Sequence, residues 1–450
     1  MANRNSIDWN NTNINKLYLK ILIPTLIGMV STIIVTITDG YFVGQYAGSD
    51  ALAAVNIIAP IFLTSTAFAL LFGVGSSVVA SIHLAKGWTK AAGINITQAV
   101  VVSEVIFLLL SILTFFNSEE VSLWLGATER LLPLADSYLK ILSLSMIFYM
   151  LENLGLFTIR LDGSPNFAMM CTIVPAILNV IGDYYLVAVL DMGIEGAALA
   201  TAGSFVIGGI MVLIYLLFAS KTLKLYRLKL SQKSLKLTIR NIGYMCRLGF
   251  SAMLSEMTIA VMMFVGNYVF IRYFAEDGVA AFSTICYYFP IIFMVLNSMS
   301  QSAQPIISYN MGVGAHQRVR KAFHLTIVYS VVFAACVIIG INFCAPAMVG
   351  IFLKSGTPAY NFAVEGMPYF SLGYIFLAIN MMYMGYYQSI ERYKIANIIA
   401  FIRGFVLLPI FFIVIPMIFG RTGVWFAIPL VELLTVAVLI CQEVSKPKTR

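Results

Sequence analysis

Long apolar stretches recur along the whole chain and are separated by short polar segments. A membrane-spanning helix needs about 20 mostly apolar residues, because each residue adds about 1.5 Å of length. Twelve stretches meet this requirement, at 17–43, 51–83, 95–117, 133–159, 166–190, 194–219, 244–274, 279–311, 321–347, 360–389, 395–417 and 422–441. The pattern therefore predicts an all-α integral membrane protein with twelve transmembrane helices.

The composition supports a membrane protein. Of the 450 residues, 60% are apolar and only 11% are charged, which is about half the charged share of soluble proteins. So few charges cannot cover a soluble protein, and so many apolar residues exclude a disordered chain. The net charge of +8 does not indicate nucleic-acid binding, because the basic residues lie between apolar stretches and form no stripe with interleaved aromatic residues.

The distribution of Lys and Arg predicts the orientation in the membrane. With an even number of helices, both termini lie on the same side. That side carries 22 basic residues, eight of them between Lys221 and Arg247, whereas the opposite side carries five. Cytoplasmic segments are enriched in Lys and Arg. We therefore expect both termini in the cytoplasm.

Motifs for enzymatic chemistry are missing from the sequence. There is no GxxxxGK[ST] loop for a nucleotide and no GxSxG or HExxH motif. The six cysteines form no CxxC pair, and three histidines are too few for a histidine-rich metal site. We expect no enzymatic activity, no cofactor, and no nucleotide or nucleic-acid partner. Active transport by this chain would draw on a gradient of H⁺ or Na⁺.

The two halves of the chain are related by an internal repeat. A shift of 227 residues aligns Asp50 with Asp277, and it aligns the glycines of Gly193-x-x-Gly196 with those at 420 and 423. Apolar matches arise easily by chance in membrane proteins, but recurring Asp and Gly-x-x-Gly positions in one register do not. The chain is therefore predicted to contain two copies of one structural unit.

The repeat predicts three parts, an amino-terminal lobe at 1–219, a basic linker at 220–243 and a carboxy-terminal lobe at 244–450. Each lobe contains six helices in the same orientation, so a pseudo-two-fold axis along the membrane normal relates them. Transporters of this kind bind substrate between the lobes and alternate access by rocking them. A receptor or channel is the alternative, but a channel more often assembles its pore from identical subunits, so the repeat favours a carrier.

Acidic residues within the apolar stretches are candidates for function, because a charge in the hydrocarbon is costly. Asp39 lies in the first stretch and Asp183 in the fifth, with Asn179 one turn before Asp183. Carboxylate and amide oxygens in a partly dry site hold either a proton or Na⁺. Glu152 and Glu256 are further candidates. The alternative for all of them is a hydrogen bond that only holds helices together.

Other residues predict a bending helix and a substrate cavity. Pro24 interrupts the hydrogen bonds of the first helix, either as a fixed kink or as a bend that changes when a nearby carboxylate is protonated. Between the lobes we expect a cavity that attracts organic cations by charge and by aromatic ring faces. The residues expected there are Glu152, Glu256, Tyr287, Tyr288 and Gln304. Ordinary packing is the alternative for the tyrosines.

Six motifs, in order, resemble those of a known family. They are TDGYFVGQYAGSDALAAVNI, RLDGSPNFAMM, LNVIGDYYLV, MGIEGAALATAGS, SAQPIISYNMGVG and QSIERYKIANIIAFIR. Through them the chain resembles the multidrug and toxic compound extrusion (MATE) family, in its DinF/MepA-like bacterial branch, over about 15–445. The resemblance implies twelve helices in two six-helix lobes, which expel amphipathic, often cationic drugs against an inward flow of H⁺ or Na⁺.

The resemblance also implies roles for individual residues. The amino-lobe cation site of the family corresponds to Asp39, Asn179, Asp183 and Thr201, and the first three would bind Na⁺ if that is the coupling ion. The bending proline corresponds to Pro24.

Further implications concern another branch, the location and the partners. Glu256 matches a seventh-helix glutamate that acts with a tenth-helix aspartate in another branch, and the tenth stretch here has no aspartate. The implied location is the bacterial cytoplasmic (inner) membrane. The implied partners are organic cations and the lipid bilayer, with the transporter acting as a monomer.

A flippase for lipids or lipid-linked oligosaccharides, from the same superfamily, is the alternative function. Its cavity should contain several Arg or Lys residues that hold pyrophosphate. Arg403 alone lies plainly within an apolar stretch, which favours the multidrug antiporter.

Overall fold

The computed structural model describes residues 8–9, 11–229 and 231–444, and throughout them the regular elements are helical. In this part of the chain the α-helices are α1 (Ile14–Phe42), α2 (Ser49–Ala85), α3 (Thr89–Phe116), α4 (Ser118–Trp124), α5 (Leu132–Ser143), α6 (Met146–Leu161), α7 (Pro165–Asp183), α8 (Gly193–Ile214), α9 (Gln232–Gly312), α10 (His316–Gly350), α11 (Pro358–Ser371), α12 (Gly373–Ser389), α13 (Tyr393–Phe401), α14 (Leu408–Phe419) and α15 (Gly423–Val444). Short π-helices extend or join some of them, at Val43–Ala47, Tyr184–Val189, Tyr215–Ala219 and Ile402–Leu407. The all-α prediction is confirmed. The terminal residues 1–7 and 445–450, which contribute to the predicted orientation, lie outside the described residues.

The described helices are long enough for twelve membrane crossings. Eight helical segments are long and apolar enough to span a membrane. Two more spans are bent pairs, since α5 meets α6 at 55° and α11 meets α12 at 42°. Two of the eight segments are long enough for two crossings each, because α9 breaks at Ala275 and the segment Tyr393–Gln442 breaks at Gly420. The predicted number of helices is confirmed.

The two bent spans depart from the single helices that the sequence pattern predicts at 133–159 and 360–389. In the first, the Ser143 and Ser145 hydroxyls donate to carbonyls three residues earlier, at 2.7 and 2.8 Å. Such bonds compete with the helical ladder. In the second, Pro368 removes a backbone N–H just before the break. Hydropathy alone does not reveal these bends, because the apolar pattern continues through them.

Backbone conformation repeats at the same 227-residue shift as the sequence. Gly87 and Gly314 both have φ of 75°, and Gly193 and Gly420 have φ of 57° and 63°. Residues other than glycine rarely adopt such positive φ angles. The two halves therefore turn at equivalent positions, as the repeat predicts.

One equivalent pair departs from glycine. Gly48, with φ of 92°, begins the connection to α2, and Ala275 lies at the same shift with φ of 54° and ψ of −146°. This region of φ and ψ is essentially restricted to glycine. The second half thus turns at the position equivalent to Gly48, but it does so with alanine in a strained conformation.

The chain forms two compact units, and the first comprises the residues up to Gly249 together with Ser308–Gly314. Glycines bring its helices close together: a methyl group at Gly155 of α6 would collide with Val212 of α8. The predicted linker belongs to this unit in the structure, and the predicted lobe boundaries at 219 and 244 stay predictions.

Hydrogen bonds fix the linker to the first unit. The buried Asp162 carboxylate, between α6 and α7, accepts the backbone N–H groups of 221–223 at 2.8–2.9 Å and the Tyr215 hydroxyl at 2.8 Å. Farther along, the Tyr226 N–H donates to the Thr97 hydroxyl at 3.0 Å. The linker therefore has a defined path over this unit.

The second unit comprises Phe250–Ile307 and the residues from Ala315 onward. An aromatic group packs one end of it: Phe270 stacks on Phe282 with ring centroids 4.5 Å apart and meets Trp425 edge-on at 4.7 Å. Gly366 lets the Trp425 ring lie directly against α11. These contacts join α9, α11 and α15.

A buried ion pair also lies in the second unit. Arg403 Nη1 donates to Glu432 Oε1 at 2.9 Å, and Asn380 Nδ2 donates to Glu432 Oε2 at 2.6 Å. All three side chains are at least 95% buried. The pair links α12, α15 and the π-helix at Ile402–Leu407.

Candidate functional site

Three helices of the first unit bring together Asp39 of α1, Asn179 and Asp183 of α7, and Thr201 of α8. Helix α7 packs against both α1 and α8. Asn179 Nδ2 donates to Thr201 Oγ1 at 3.3 Å. The Asp39 and Asp183 carboxylates are close enough to interact electrostatically. The structure thus brings together all four residues of the cation site that the resemblance implies.

The oxygens of this cluster are buried without hydrogen-bond partners. Asn179 and Asp183 are fully buried, and Asp39 is half-buried. Among the described residues, Asp39 Oδ1, Asn179 Oδ1 and both carboxylate oxygens of Asp183 have no hydrogen-bond partner. A buried polar atom without a partner is costly. A cation among these oxygens would remove that cost.

Tyr138 of α5 belongs to the cluster, although the sequence analysis does not identify it. Its buried hydroxyl interacts with Thr201 and with the charges of Asp39 and Asp183. No sequence signal distinguishes this tyrosine from the 22 others in the chain. Tyr138 lies in α5, the first part of the bent span formed by α5 and α6.

An apolar cluster lies one helical turn beyond both carboxylates. Val43 follows Asp39 by four residues and Val187 follows Asp183 by four, and both valines are almost completely buried. They pack with buried residues of α2, α5 and α8, including Leu139. This packing excludes water from one end of the cluster, so charges there are poorly solvated.

Both carboxylate-bearing helices change to π-helix at the cluster. Asp183 is the last residue of α7, directly before Tyr184–Val189, and Asp39 lies four residues before Val43–Ala47. Segments of π-helix are frequent at functional sites. The regular α-helical ladder is therefore interrupted close to both charges.

Helix α1 also carries features that weaken its own ladder. Pro24 is buried inside the helix and leaves one carbonyl without its usual N–H donor. Hydroxyl groups along the helix donate to carbonyls three or four residues earlier, at Thr25, Ser31, Thr32, Thr36 and Thr38. Such bonds bend helices. Close packing on α7 occurs at Gly28, where an added methyl group would lie 2.6 Å from Thr172 Oγ1.

The donor set of the cluster fits a proton or Na⁺. Two carboxylates, an amide oxygen and a hydroxyl are hard oxygen ligands, which suit a hard cation and disfavour a transition metal. Within the described residues, no group of three or more His, Cys, Asp or Glu side chains could hold a metal ion. The arrangement therefore suits a hard cation held by oxygen ligands.

Glu152 lies in the same unit but outside the cluster. Its carboxylate contacts Gly208 of α8, where a Cβ would collide with Glu152 Oε2. Gly208 follows Thr201 by seven residues, which is two helical turns or about 10 Å. Glu152 is half-buried and makes no hydrogen bond or ion pair with a described residue.

The other predicted cavity residues belong to the second unit. Glu256 of α9 is half-buried and makes no hydrogen bond or ion pair with a described residue. Tyr287 is 61% exposed and stacks on Phe352 with ring centroids 4.8 Å apart. The Tyr288 hydroxyl donates to the Met348 carbonyl at 3.0 Å.

Gln304 differs from these residues because it is buried in a hydrogen-bonded chain. It donates to Gln388 Oε1 at 2.8 Å, and Gln388 donates to the Ser251 hydroxyl at 2.7 Å. These hydrogen bonds join α9 to α12, so a structural role already explains why the Gln304 amide is buried.

Comparison with known proteins identifies relatives along nearly the whole chain. The family model MatE matches residues 24–185 and 251–415. The multidrug export protein MepA of Staphylococcus saprophyticus is 26% identical over 422 residues, which cover 91% of this chain and 89% of that protein. The MepA protein of Staphylococcus aureus is 25% identical over 422 residues, with the same coverage.

A solved structure shares the fold. A MOP superfamily transporter from Pyrococcus furiosus superposes with a TM-score of 0.87 at 21% identity, over 98% of this chain and 100% of that chain. At this identity the likeness concerns the fold alone. It confirms the two-lobed fold of twelve helices that the sequence predicts.

Proposed function

The chain belongs to the MATE family, and from this we propose that it exports amphipathic organic cations in exchange for H⁺ or Na⁺, by alternating access of its two lobes. Members of this family are multi-pass secondary transporters and not enzymes. The relatives named multidrug export protein support small-molecule drugs as the cargo. One observation carries the antiport proposal: four buried oxygens of Asp39, Asn179 and Asp183 have no hydrogen-bond partner.

Binding of a cation follows from the charges of the cluster. Two carboxylates that share a poorly solvated site repel each other when both are ionised. A proton or Na⁺ removes part of that repulsion and gives the unpartnered oxygens a ligand. The site is therefore expected to hold one cation tightly when it is accessible from the side of high cation concentration.

Helix α1 is the element proposed to respond to the cation. It carries Asp39, and its hydrogen-bond ladder is weakened by Pro24 and by its hydroxyl groups. Cation binding changes the partners of Asp39, which biases α1 between two arrangements. A ligand drives such a change only through its different affinity for the two states, so the cation and the drug must favour opposite states of the lobe.

Substrate binding is proposed to involve Glu256, with contributions from Tyr287, Tyr288, Gln304 and Glu152. An unpaired carboxylate attracts an organic cation by charge, and ring faces add cation–π attraction. The half-buried Glu256, which has no partner among the described residues, supports this role more strongly than Gln304, whose amide is bonded to Gln388.

The remaining parts of the proposal concern the cell. The transporter is proposed to act as a monomer in the bacterial cytoplasmic membrane with both termini in the cytoplasm, which the excess of Lys and Arg on that side supports. The flippase alternative is less favoured, because the buried Arg403 is engaged with Glu432 and does not offer its full charge to pyrophosphate.

The experiment is ion and drug flux in proteoliposomes. Purified protein is reconstituted with an internal pH dye or a Na⁺ dye, and a cationic drug is added on one side under an imposed gradient. Antiport predicts H⁺ or Na⁺ movement that depends on the drug, and Asp183→Asn should abolish it. Asp277→Asn, which makes the same change at an exposed aspartate, is the control. Drug movement without ion movement would contradict antiport.

A further inference from the structure

In the first helical turns of α9 polar side chains face the protein and apolar ones face outward, which is the reverse of a surface helix in a soluble protein. Ser234, Thr238 and Asn241, spaced along one face, are turned inward, whereas Leu235 and Ile239 are 60% and 65% exposed. In a water-facing helix the apolar face is the one that packs on the protein. This segment, residues 232–243, therefore exposes the apolar side chains that a protein core would normally cover.

Hydrogen bonds explain the polar inner face. Gln98 of α3 donates to the Thr238 hydroxyl at 2.9 Å, and Asn241 Nδ2 donates to Gln98 Oε1 at 3.1 Å. A longer bond of 3.4 Å joins Asn241 to Asn95. These bonds fix the orientation of the segment about its helix axis, so Leu235 and Ile239 cannot turn inward without breaking them.

Basic residues surround the exposed leucine and isoleucine. Eight Lys and Arg residues lie between 221 and 247, with no acidic residue among them, and all eight side chains are exposed. None of those from Lys221 to Arg240 forms an ion pair with a described residue. Their charge is therefore available to an external anionic partner.

The partner must carry negative charge and also receive apolar side chains. We propose that residues 232–243 bind the anionic headgroup layer of the adjacent membrane leaflet, with Leu235 and Ile239 inserted at the acyl boundary and Lys233, Lys236 and Arg240 on the lipid phosphates. The apolar stretch predicted to span the membrane begins at about residue 244, directly after this segment, so we expect the segment to lie next to a bilayer surface. Basic amphipathic helices bind such surfaces by buried apolar area together with attraction to anionic lipids.

An acidic soluble protein fits less well. It would match the charge, but it would leave the apolar pair to be covered by a specific complementary surface, whereas a lipid leaflet is present wherever the protein is. The Asp162 bonds to 221–223 and the Tyr226 bond to Thr97 further fix the linker against the first unit. The basic surface is thus held in place before any lipid binds.

Hydrogen–deuterium exchange of the full chain in lipid nanodiscs tests this proposal. One set of discs contains phosphatidylcholine alone, and the other contains an equal mixture with phosphatidylglycerol. Each basic residue at an anionic surface strengthens binding about fivefold. We expect the backbone amides of 232–243 to exchange more slowly in the anionic discs by at least about fivefold, and the difference to shrink at high salt.

Two matched triple variants locate the effect. Lys233→Gln, Lys236→Gln and Arg240→Gln together should remove the dependence on phosphatidylglycerol. Arg320→Gln, Lys321→Gln and Lys394→Gln remove the same charge elsewhere and should leave it intact. Leu235→Ser with Ile239→Ser should speed exchange in both kinds of disc, because the apolar anchor is lost.

Three results would overturn the proposal. Equal exchange of 232–243 in the two lipids would exclude an anionic-lipid surface. An equal loss of the phosphatidylglycerol dependence in both triple variants would attribute the slower exchange to net charge and not to this segment. The same protection from glycerol phosphate in detergent would point to a small free anion instead of a leaflet.

Discussion

Two sites, one in each unit, treat a buried carboxylate in opposite ways. In the first unit, Asp39 and Asp183 bury oxygens that have no hydrogen-bond partner among the described residues. In the second, Glu432 is buried as well, but Arg403 donates to one of its carboxylate oxygens and Asn380 to the other. Burial alone therefore does not identify a functional carboxylate.

What distinguishes the two is whether the charge is already neutralised by the protein. A carboxylate bonded to a buried guanidinium is held in one state, because removing either partner leaves an uncompensated charge. A carboxylate without partners can gain and lose a mobile cation with little rearrangement of its neighbours. The first arrangement suits a structural link, and the second suits transport.

The largest expected effect comes from neutralising the unpaired cluster. Asp183→Asn should still bind drug but lose gradient-driven efflux, down to the level of vesicles without protein. Asp39→Asn should behave alike, and the double variant should lose little more, because both residues serve one step. Drug binding by equilibrium dialysis and efflux in proteoliposomes measure the two properties. Full ion-coupled efflux by Asp183→Asn would move coupling to Glu152 or Glu256.

Breaking the paired carboxylate should affect stability instead of coupling. Arg403→Met leaves Glu432 buried without its guanidinium and should destabilise the second unit by about 3–5 kcal/mol. Adding Glu432→Leu should restore much of that loss, since no unpaired charge remains. Thermal unfolding in detergent measures both.

The control for this prediction is a surface pair. Arg130 and Asp50 form an exposed ion pair in the first unit, and Arg130→Met should leave the stability nearly unchanged, because solvent screens an exposed pair. If Arg403→Met were as mild as Arg130→Met, the buried pair would not stabilise the unit as inferred.

A smaller effect is expected where the halves differ in backbone strain. Ala275→Gly places glycine at the position equivalent to Gly48, and it should raise stability by about 1 kcal/mol or more, because the strained φ and ψ suit glycine. Ala280→Gly, within the same helix, should lower stability by about 0.5–1 kcal/mol. Thermal unfolding of the two variants, measured side by side, tests this prediction. Changes in stability of the same sign for both variants would exclude strain at Ala275.

A change in substrate selectivity is expected at the unpaired glutamate of the second unit. Glu256→Gln should reduce efflux of a dicationic drug about tenfold, equivalent to roughly 1.4 kcal/mol, and reduce that of a monocation less. Glu365→Gln, at an exposed carboxylate of the same unit, should change neither. Equal loss for neutral and dicationic dyes would assign Glu256 a structural role.

Most of the fold follows from the sequence because lipid imposes a simple rule. Every crossing must be a helix of about 20 apolar residues, so hydropathy reveals their number. The repeat is also readable, since positive-φ positions such as Gly87 and Gly314 require the same residue twice. The bends at Ser143 and Pro368 escape this rule, because they depend on local hydrogen bonds inside an uninterrupted apolar stretch.

The candidate site is only partly readable. Asp39, Asn179 and Asp183 stand out because polar residues are rare in such stretches, and Thr201 follows from the family resemblance. Tyr138 does not stand out, because tyrosines are common in membrane helices. The sequence also does not predict that Glu432 is paired and Asp183 is not. That difference depends on Arg403, which lies 29 residues from Glu432 in the chain and donates to its carboxylate.

The bonds of Asp162 have a consequence for synthesis of the protein. Their partners at 221–223 follow about 60 residues later in the chain, so they become available once the sixth crossing has left the ribosome. At ordinary elongation rates, completion of the second half then takes on the order of ten to fifty seconds. Throughout that interval the nascent chain can already form the hydrogen bonds between Asp162 and the start of the linker. The first half of the protein can thereby fix its linker long before translation ends.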